Sequence, residues 1–334
     1  MRFSKLVPER QHYRNGATLL TRTTPAAQFN ALWSSLRVRP EGVFQNMSQG
    51  RGRHNPPSQQ RLVRAFEASL FKGRVARWSF SCGLHGRLGI TRHEIRVPKE
   101  KGLPGRLVLA FASDLHAGPT TDPRMFEVLS AAVAAENPDV LLLGGDYVSF
   151  HAKDVDAFTD VLSRWQPRLG KHAVLGNHDL WTDDGYIRER LTAAGARVLV
   201  NECVALPAPF DNVAICGIDD PWTGDANVVR AFAGPQPIKI FLTHSPDGLL
   251  LLKQERFTVG FAGHTHGGQV CLPGGTPILE AGGPLARKYS RGRFQVEPHG
   301  PLIVGLGVGC SNLPIRLNAH PELILCTLVP EDTG

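Results

Sequence analysis

Residues Leu107 to His116, LVLAFASDLH, place six apolar residues directly before a polar end, Ser113-Asp114-Leu115-His116. A continuous apolar run of this length fits a strand buried on both faces better than one alternating between core and solvent. The texture then repeats: a helical stretch over 123–136, an apolar run at 139–144, a helix over 155–165, a run at 172–176 and a helix around 186–194. Further strand candidates lie at 197–200, 213–218, 238–243, 258–262, 302–307 and 323–328. Strands alternating with helices predict an α/β layered fold. The strand-rich second half predicts a second sheet packed on the first.

Polar residues gather where these strands stop. Ser113-Asp114-Leu115-His116 follows the first, Gly144-Gly145-Asp146 the second and Gly176-Asn177-His178-Asp179 the third. Thr243-His244-Ser245-Pro246 and Gly263-His264-Thr265-His266-Gly267-Gly268 follow two later ones. Carboxyl ends of strands are where open α/β sheets assemble their sites. Carboxylate, amide oxygen and imidazole together suit Mn, Fe, Zn or Mg, and with no cysteine among them a structural zinc finger is not indicated. Each block alone is common: a strand-terminal Asp is often a helix cap, and a lone His is often a satisfied core residue. Five blocks in order at five strand ends are not.

The constellation resembles the calcineurin-like metallophosphoesterase superfamily, whose signature runs Asp-x-His, Gly-Asp, Gly-Asn-His-Asp/Glu, His and Gly-His-x-His. The resemblance covers about residues 105–330 and implies a four-layer α-β-β-α sandwich of two mixed sheets, with a dinuclear metal site at the C-terminal edge of the strands. Carried over by position, it implies that Asp114, His116 and His266 hold one divalent ion and that Asn177, His244 and His264 hold the other. Asp146 would bridge the two. Mn is the favoured ion. Paired ions can clamp the attacking and leaving oxygens of an in-line displacement and supply hydroxide near neutral pH. The resemblance gives Asn177 and His178 a place at the substrate and makes His178 the group that protonates or stabilises the leaving oxygen. Asp179 is expected either to orient His178 or, preferably, to support its loop. Among the other histidines, His151 is the leading candidate for a further site role because it closely follows Asp146.

Charge divides the chain. In residues 1–100, 18 lysines and arginines face 5 glutamates and no aspartate, whereas 19 face 25 acidic residues after them. Residues 1–60 are rich in Pro, Gly, Gln and Arg and are expected to form a basic, disordered leader, with a linker at 45–60 and a short helical patch at 29–36. Residues 61–104 are expected to hold a basic amphipathic helix over 61–77, weakened at Gly73, and a lead-in strand. That helix either packs on the domain or lies on an anionic membrane surface. Six scattered cysteines without a CxxC pair fit a reducing compartment, with Cys216 and Cys326 as small buried residues. No window is apolar enough to span a bilayer, and the N-terminus lacks a secretory h-region. A cytoplasmic enzyme is expected, in peripheral contact with the inner face of the membrane if the helix binds lipid.

Two departures narrow the branch. Tyr147-Val148-Ser149-Phe150 stands where Ser/Thr protein phosphatases of the superfamily place Asp-Arg, which argues against that activity. Gly263–Val270 with Leu272-Pro273, Tyr289-Ser290-Arg291-Gly292 and Pro314-Ile315-Arg316 look like a bacterial membrane-associated branch that includes UDP-2,3-diacylglucosamine pyrophosphatases. The resemblance therefore implies a hydrolase for phosphodiester or pyrophosphate bonds, with a lipid-linked nucleotide as the leading substrate. Alternatives are a soluble enzyme for cyclic nucleotides or other small phosphodiesters, a nuclease using the basic leader as a phosphate clamp, and a non-catalytic metal-dependent scaffold. Nucleic acid is the less favoured partner, and intact His178 and Asp146 stand against the scaffold.

Overall fold

The computed structural model describes residues 65–331 apart from Leu279. The expected leader, its linker and the patch at 29–36 lie outside the described residues, as does the start of the basic helix. In chain order the elements are α1 (Arg74–Ser81), β1 (Gly89–Val97), β2 (Leu107–Ala112), α2 (Arg124–Glu136), β3 (Val140–Leu143), α3 (Asp156–Leu162), β4 (Lys171–Ala173), α4 (Asn177–Leu180), α5 (Asp184–Ala193), β5 (Ala196–Val198), β6 (Glu202–Ala205), β7 (Val213–Gly217), α6 (Val228–Ala231), β8 (Ile238–Leu242), β9 (Val259–Ala262), β10 (Gly292–Val296), β11 (Gly300–Val304) and β12 (Glu322–Pro330).

They form two six-stranded sheets, ordered β1-β12-β2-β3-β4-β5 and β10-β11-β9-β8-β7-β6. In the first, β2 to β5 are parallel, β12 runs antiparallel to β2, and β1 runs parallel to β12. In the second, β11, β9, β8 and β7 are parallel, and the edge strands β10 and β6 are antiparallel to their neighbours. Both sheets are therefore mixed.

Side-chain alternation separates the layers. On β2, Leu107, Leu109 and Phe111 join Ile215, Ile240, Leu242 and Phe261 in a core between the sheets. Ala110 and Ala112 point the other way, toward Met125, Phe126, Leu129, Phe158 and Leu191 of α2, α3 and α5. The far face of the second sheet buries Ala214, Cys216 and Phe241 against Val228, Phe232, Leu249 and Tyr289. Three apolar cores make four layers, as expected. The fourth layer is the thinnest, built from the single turn α6, a 3-10 segment at Pro246–Leu251 and loops.

The basic helix departs from expectation. It is helical over 65–69 and again in α1, but Phe71, Lys72 and Gly73 between them take left-handed φ values of 47°, 50° and 81°. Leu70, Ala76 and Ser79 are buried, so one side packs on the domain. β1 joins the main sheet through nine-residue pairing with β12. β6, β10 and the short helices α4 and α6 carry too little periodicity to be seen in sequence. Among the described residues, no helix is long and apolar enough to cross a membrane.

Candidate metal centre

The strand-end blocks converge. Asp114 and His116 leave β2, Asp146 follows β3, and Asn177 begins α4 after β4; from the second sheet, His244 follows β8, and His264 and His266 follow β9. Backbone bonds lock these loops: Asp114 N–H donates to Gly145 O at 2.9 Å, His116 N–H to Asp146 O at 3.0 Å, and Gly263 N–H to His244 O at 2.8 Å. The last segment before β12 closes over them, with Gly309 N–H on Asp114 O at 2.7 Å. Close approach explains two of the glycines. A Cβ on Gly176 would sit 2.3 Å from Asp146 Oδ1, and one on Gly263 would sit 2.4 Å from Asp114 Oδ2.

The ligating atoms form two adjacent triads, Asp114–His116–His266 and Asp146–His244–His264, and a third grouping, His116–Asp146–His178, draws one residue from each. In the first, His116 Nε2 and His266 Nε2 are 3.0 Å apart and His266 Nε2 is 3.6 Å from Asp114 Oδ1. In the second, His244 Nε2 is 3.2 Å from His264 Nδ1 and 3.1 Å from Asn177 Oδ1. Asp146 Oδ2 lies 3.3 Å from His244 Nε2 and 3.6 Å from His116 Nε2, so one carboxylate oxygen stands between the triads. Its other oxygen accepts the His178 N–H at 2.8 Å.

A metal fits this donor set. His244 Nδ1 donates to Gly144 O at 2.8 Å and His264 Nε2 donates to Gly282 O at 3.0 Å. In the neutral rings their remaining nitrogens carry no proton, yet they face each other at 3.2 Å, and two facing acceptors require a cation between or beside them. For metal–nitrogen bonds of about 2.1 Å, two ligands at right angles are about 3.0 Å apart. Fixing the far nitrogen of a ligating imidazole on a carbonyl is also how metal histidines are oriented.

The electrostatics agree. Burial, the positive forms of the neighbouring rings and Arg316 push His116 and His266 well below the usual imidazole range, which leaves them neutral, as metal binding requires. Burial opposes charge on His244 as well, but Asp146, Asp114 and Asp220 outweigh it and raise its pKa, so without metal a proton takes the place of the cation. Burial raises Asp114 to about 6, with Asp146 adding to the shift. Burial acts the same way on Asp146, but His244 and His178 hold its pKa far below the ordinary carboxylate value.

Beside the triads, His178 Nδ1 is 2.9 Å from Ser149 O, and its ring lies 4.7 Å from that of His116 and 4.6 Å from that of Trp181. A carbonyl only accepts, so Nδ1 carries a proton. Asp179 does not orient His178. Its Oδ2 accepts Asp146 N–H at 2.8 Å and Gly176 N–H at 2.9 Å, and its Oδ1 accepts Tyr147 N–H at 2.8 Å and Val148 N–H at 3.4 Å. Asp179 thus cross-links two catalytic loops through backbone amides, and a direct catalytic part for it is not supported by these contacts. His151 pairs with Glu67 at 2.7 Å, outside both triads.

Sequence reasoning missed several residues around the centre. Ser113 Oγ donates to Asp114 Oδ2 at 2.5 Å. Buried Asp220 biases His244 electrostatically; the signal was a further strand-terminal aspartate after β7. Arg316, noticed only as part of a motif likeness, is buried behind His266. It donates to Gly309 O at 2.8 Å, Leu306 O at 2.9 Å and Ala319 O at 3.0 Å, with Nη2 3.1 Å from His266 Nδ1.

Known proteins share this frame. The model of the calcineurin-like phosphoesterase family matches residues 107–268, which hold all seven expected ligands. Phosphodiesterase YaeI of Escherichia coli K12 is 29% identical over 276 residues, spanning 81% of this chain and 99% of that protein. An uncharacterized metallophosphoesterase of Aquifex aeolicus is 31% identical over 229 residues, 65% of this chain and 83% of that protein. A Danio rerio transmembrane protein with metallophosphoesterase domain is 30% identical over 251 residues, 69% of this chain but only 55% of that longer protein. With its motif blocks folded into two adjacent metal-binding triads, the chain belongs to the calcineurin-like phosphoesterase family and is a metal-dependent phosphoesterase.

Proposed function

We propose that the chain hydrolyses phosphodiester or pyrophosphate bonds, and that Asp114, His116 and His266 hold one divalent ion, Asn177, His244 and His264 the second, and Asp146 both. The carrying observation is the pair of triads meeting at one oxygen of Asp146. Bound there, two ions would supply Lewis acidity toward the phosphoryl oxygens and lower the pKa of water. The nitrogen and oxygen donors suit Mn, the favoured ion, as well as Fe, Zn or Mg.

The chain's own groups divide the remaining work. His178 is held by Ser149 O at Nδ1, which leaves Nε2 to carry the proton that neutralises the departing oxygen. Asn177 and His178, adjacent on α4, would meet the substrate phosphate. Asp179 keeps the loops bearing Asp146 and Asn177 in register. The similarity to a phosphodiesterase of Escherichia coli supports diester over monoester chemistry.

The finer substrate, a lipid-linked nucleotide of the UDP-2,3-diacylglucosamine kind, rests on the motif likeness around 263–273 and 314–316. Two indoles beside the centre favour a ligand with a planar base: Trp181 against His178 at 4.6 Å, and Trp222 against His264 at 4.8 Å. The test is a side-by-side assay of the Mn-loaded protein on UDP-2,3-diacylglucosamine, a cyclic nucleotide, single-stranded nucleic acid and an aryl phosphomonoester. Turnover of a diester or pyrophosphate well above the monoester is expected. Activity confined to the monoester would refute the proposal.

A further inference from the structure

Eleven large apolar side chains are exposed among the described residues, and seven of them fall on three neighbouring segments: Phe71, Trp78 and Leu84 around α1, Leu272 and Ile278 after the Gly-His-Thr-His block, and Leu313 and Leu317 before β12. Phe71 and Trp78 are 65% and 60% exposed, and Leu317 and Leu272 are 53% and 51% exposed. Backbone contacts tie the segments together. Ser79 Oγ bonds Pro314 O, and Arg316 N–H donates to Leu84 O at 2.8 Å. Leu317 N–H donates to Gln269 O at 2.9 Å, and Ile278 N–H to Val270 O at 2.9 Å. The Gln269 amide joins the same frame, donating to Leu313 O at 2.7 Å and Ile315 O at 3.1 Å.

The charges on this surface are mostly positive, and the exposed Glu280 beside the 269–278 loop is paired with Arg287 at 3.5 Å. Lys72, Arg74, Arg77 and Arg87 are exposed on and beside α1, whereas Glu67, the acid in residues 65–87, is engaged with His151. Residues 269–278 carry no charge, and the charged residue of 311–319 is the buried Arg316. A protein partner's apolar face would not need four cations around it; an anionic bilayer would. Aromatic and aliphatic residues enter the headgroup boundary while lysine and arginine meet lipid phosphates.

We infer that this surface docks on an anionic membrane and holds the metal-centre loops against it. The same segments brace those loops. Phe66 stacks edge-on against Phe150 at 5.7 Å, four residues beyond Asp146, and Gly73 lies beside Pro119, three beyond His116. Gln269 is three residues beyond His266. Composition pointed only to the basic helix; the uncharged loops are the part the structure adds. Docking does not depend on which phosphoester is cleaved.

The test is co-sedimentation of the full chain with phosphatidylglycerol-containing vesicles and with pure phosphatidylcholine vesicles, at low and high salt. Binding to the anionic vesicles is expected, weaker by about tenfold or more on neutral vesicles or in high salt. The double variant Trp78→Glu/Leu317→Glu should lose binding by about tenfold or more while its turnover of a small soluble phosphodiester stays at the parent value. Lys72→Glu/Arg74→Glu should weaken binding without touching the apolar patch. Failure of the parent chain to sediment would overturn the inference. So would undiminished binding by both variants, which would assign docking to residues 1–64. Concentration-dependent self-association abolished by the same variants, without vesicle binding, would make a second copy the occupant instead.

Discussion

Asp179→Asn separates a loop clamp from a catalytic orienter. The carboxylate accepts three backbone N–H bonds of 2.8–2.9 Å and a longer one of 3.4 Å, all buried. Its pKa is raised to about 8, by burial and by Asp146. Cations at Asp146 remove the second cause, so the perturbation belongs in the metal-loaded protein. Asparagine keeps the shape but has one amide oxygen. With that oxygen toward Tyr147 and Val148, its NH2 faces the N–H groups of Gly176 and Asp146, donor against donor. Losing two charge-assisted bonds at about 1.5–3 kcal/mol each gives roughly 3–6 kcal/mol. That is a large share of a typical stability of about 5–15 kcal/mol. Guanidinium melts followed by circular dichroism, with metal content measured on the same samples, should show a lower midpoint and weakened metal retention. Turnover should recover in part at high metal concentration. An unchanged midpoint and two retained ions, with turnover lost, would refute the clamp and restore Asp179 to the chemistry.

His178→Asn should retain both ions by elemental analysis yet lower kcat by about 100- to 10,000-fold; unchanged turnover would remove the residue from proton transfer. Gly176→Ala drives a methyl to 2.3 Å from Asp146 Oδ1 and 2.7 Å from His244 Cε1. Displacing those groups by an ångström should cost roughly 100-fold in kcat/KM with a native far-UV spectrum, and parent-like kinetics would show that the loop yields. Far from the site, burial lowers the His172 pKa to about 4 from 6.5, against partial help from the Leu169 backbone. A depressed histidine contributes stability above pH 6.5 that disappears as pH falls to 4, here on the order of 3 kcal/mol. His172→Leu should therefore flatten the acid limb in urea melts at pH 7, 5.5 and 4.5, and an equally steep limb would exclude His172 as its cause.

What was legible in the sequence had a local signature. β2, β3, β7, β8 and β9 are short apolar runs that stop at a polar block, and both features survive without knowledge of their partners. The break in the basic helix at Phe71–Gly73 was visible only as a weak glycine. Its cause is tertiary, because Leu70 and Ala76 turn into the core on either side. The edge strands β6 and β10 are held by neighbours rather than by their own pattern, and their burial is mixed. Arg316 acts on His266 across fifty residues of chain, so no spacing rule could assign it, whereas Asp220 carried a strand-end signal that sequence reasoning passed over. Loop support by Asp179 was the preferred expectation, but not which loop: its donors include the amides of Asp146, Tyr147 and Val148, 31–33 residues earlier in the chain.

The ligands also show how the fold holds chemistry that the backbone resists. Of the eleven non-glycine residues with positive φ among those described, five are expected ligands: Asp114 at 53°, His116 at 45°, Asp146 at 55°, His264 at 71° and His266 at 51°. Each left-handed residue costs about 1–2 kcal/mol, so the set costs on the order of 5–10 kcal/mol, comparable to the whole stability of an ordinary domain. No single side-chain contact offsets that. The strain is spread over backbone bonds between loops, such as Asp114 to Gly145 and His116 to Asp146, and those loops are anchored by three apolar cores. The sharp turns are what let successive strand ends aim imidazoles and carboxylates at one point instead of along their strands. The motif is therefore a set of backbone conformations as well as of donors, and a substitution that relaxes the backbone while keeping a donor at the same position would still move that donor off the shared oxygen of Asp146.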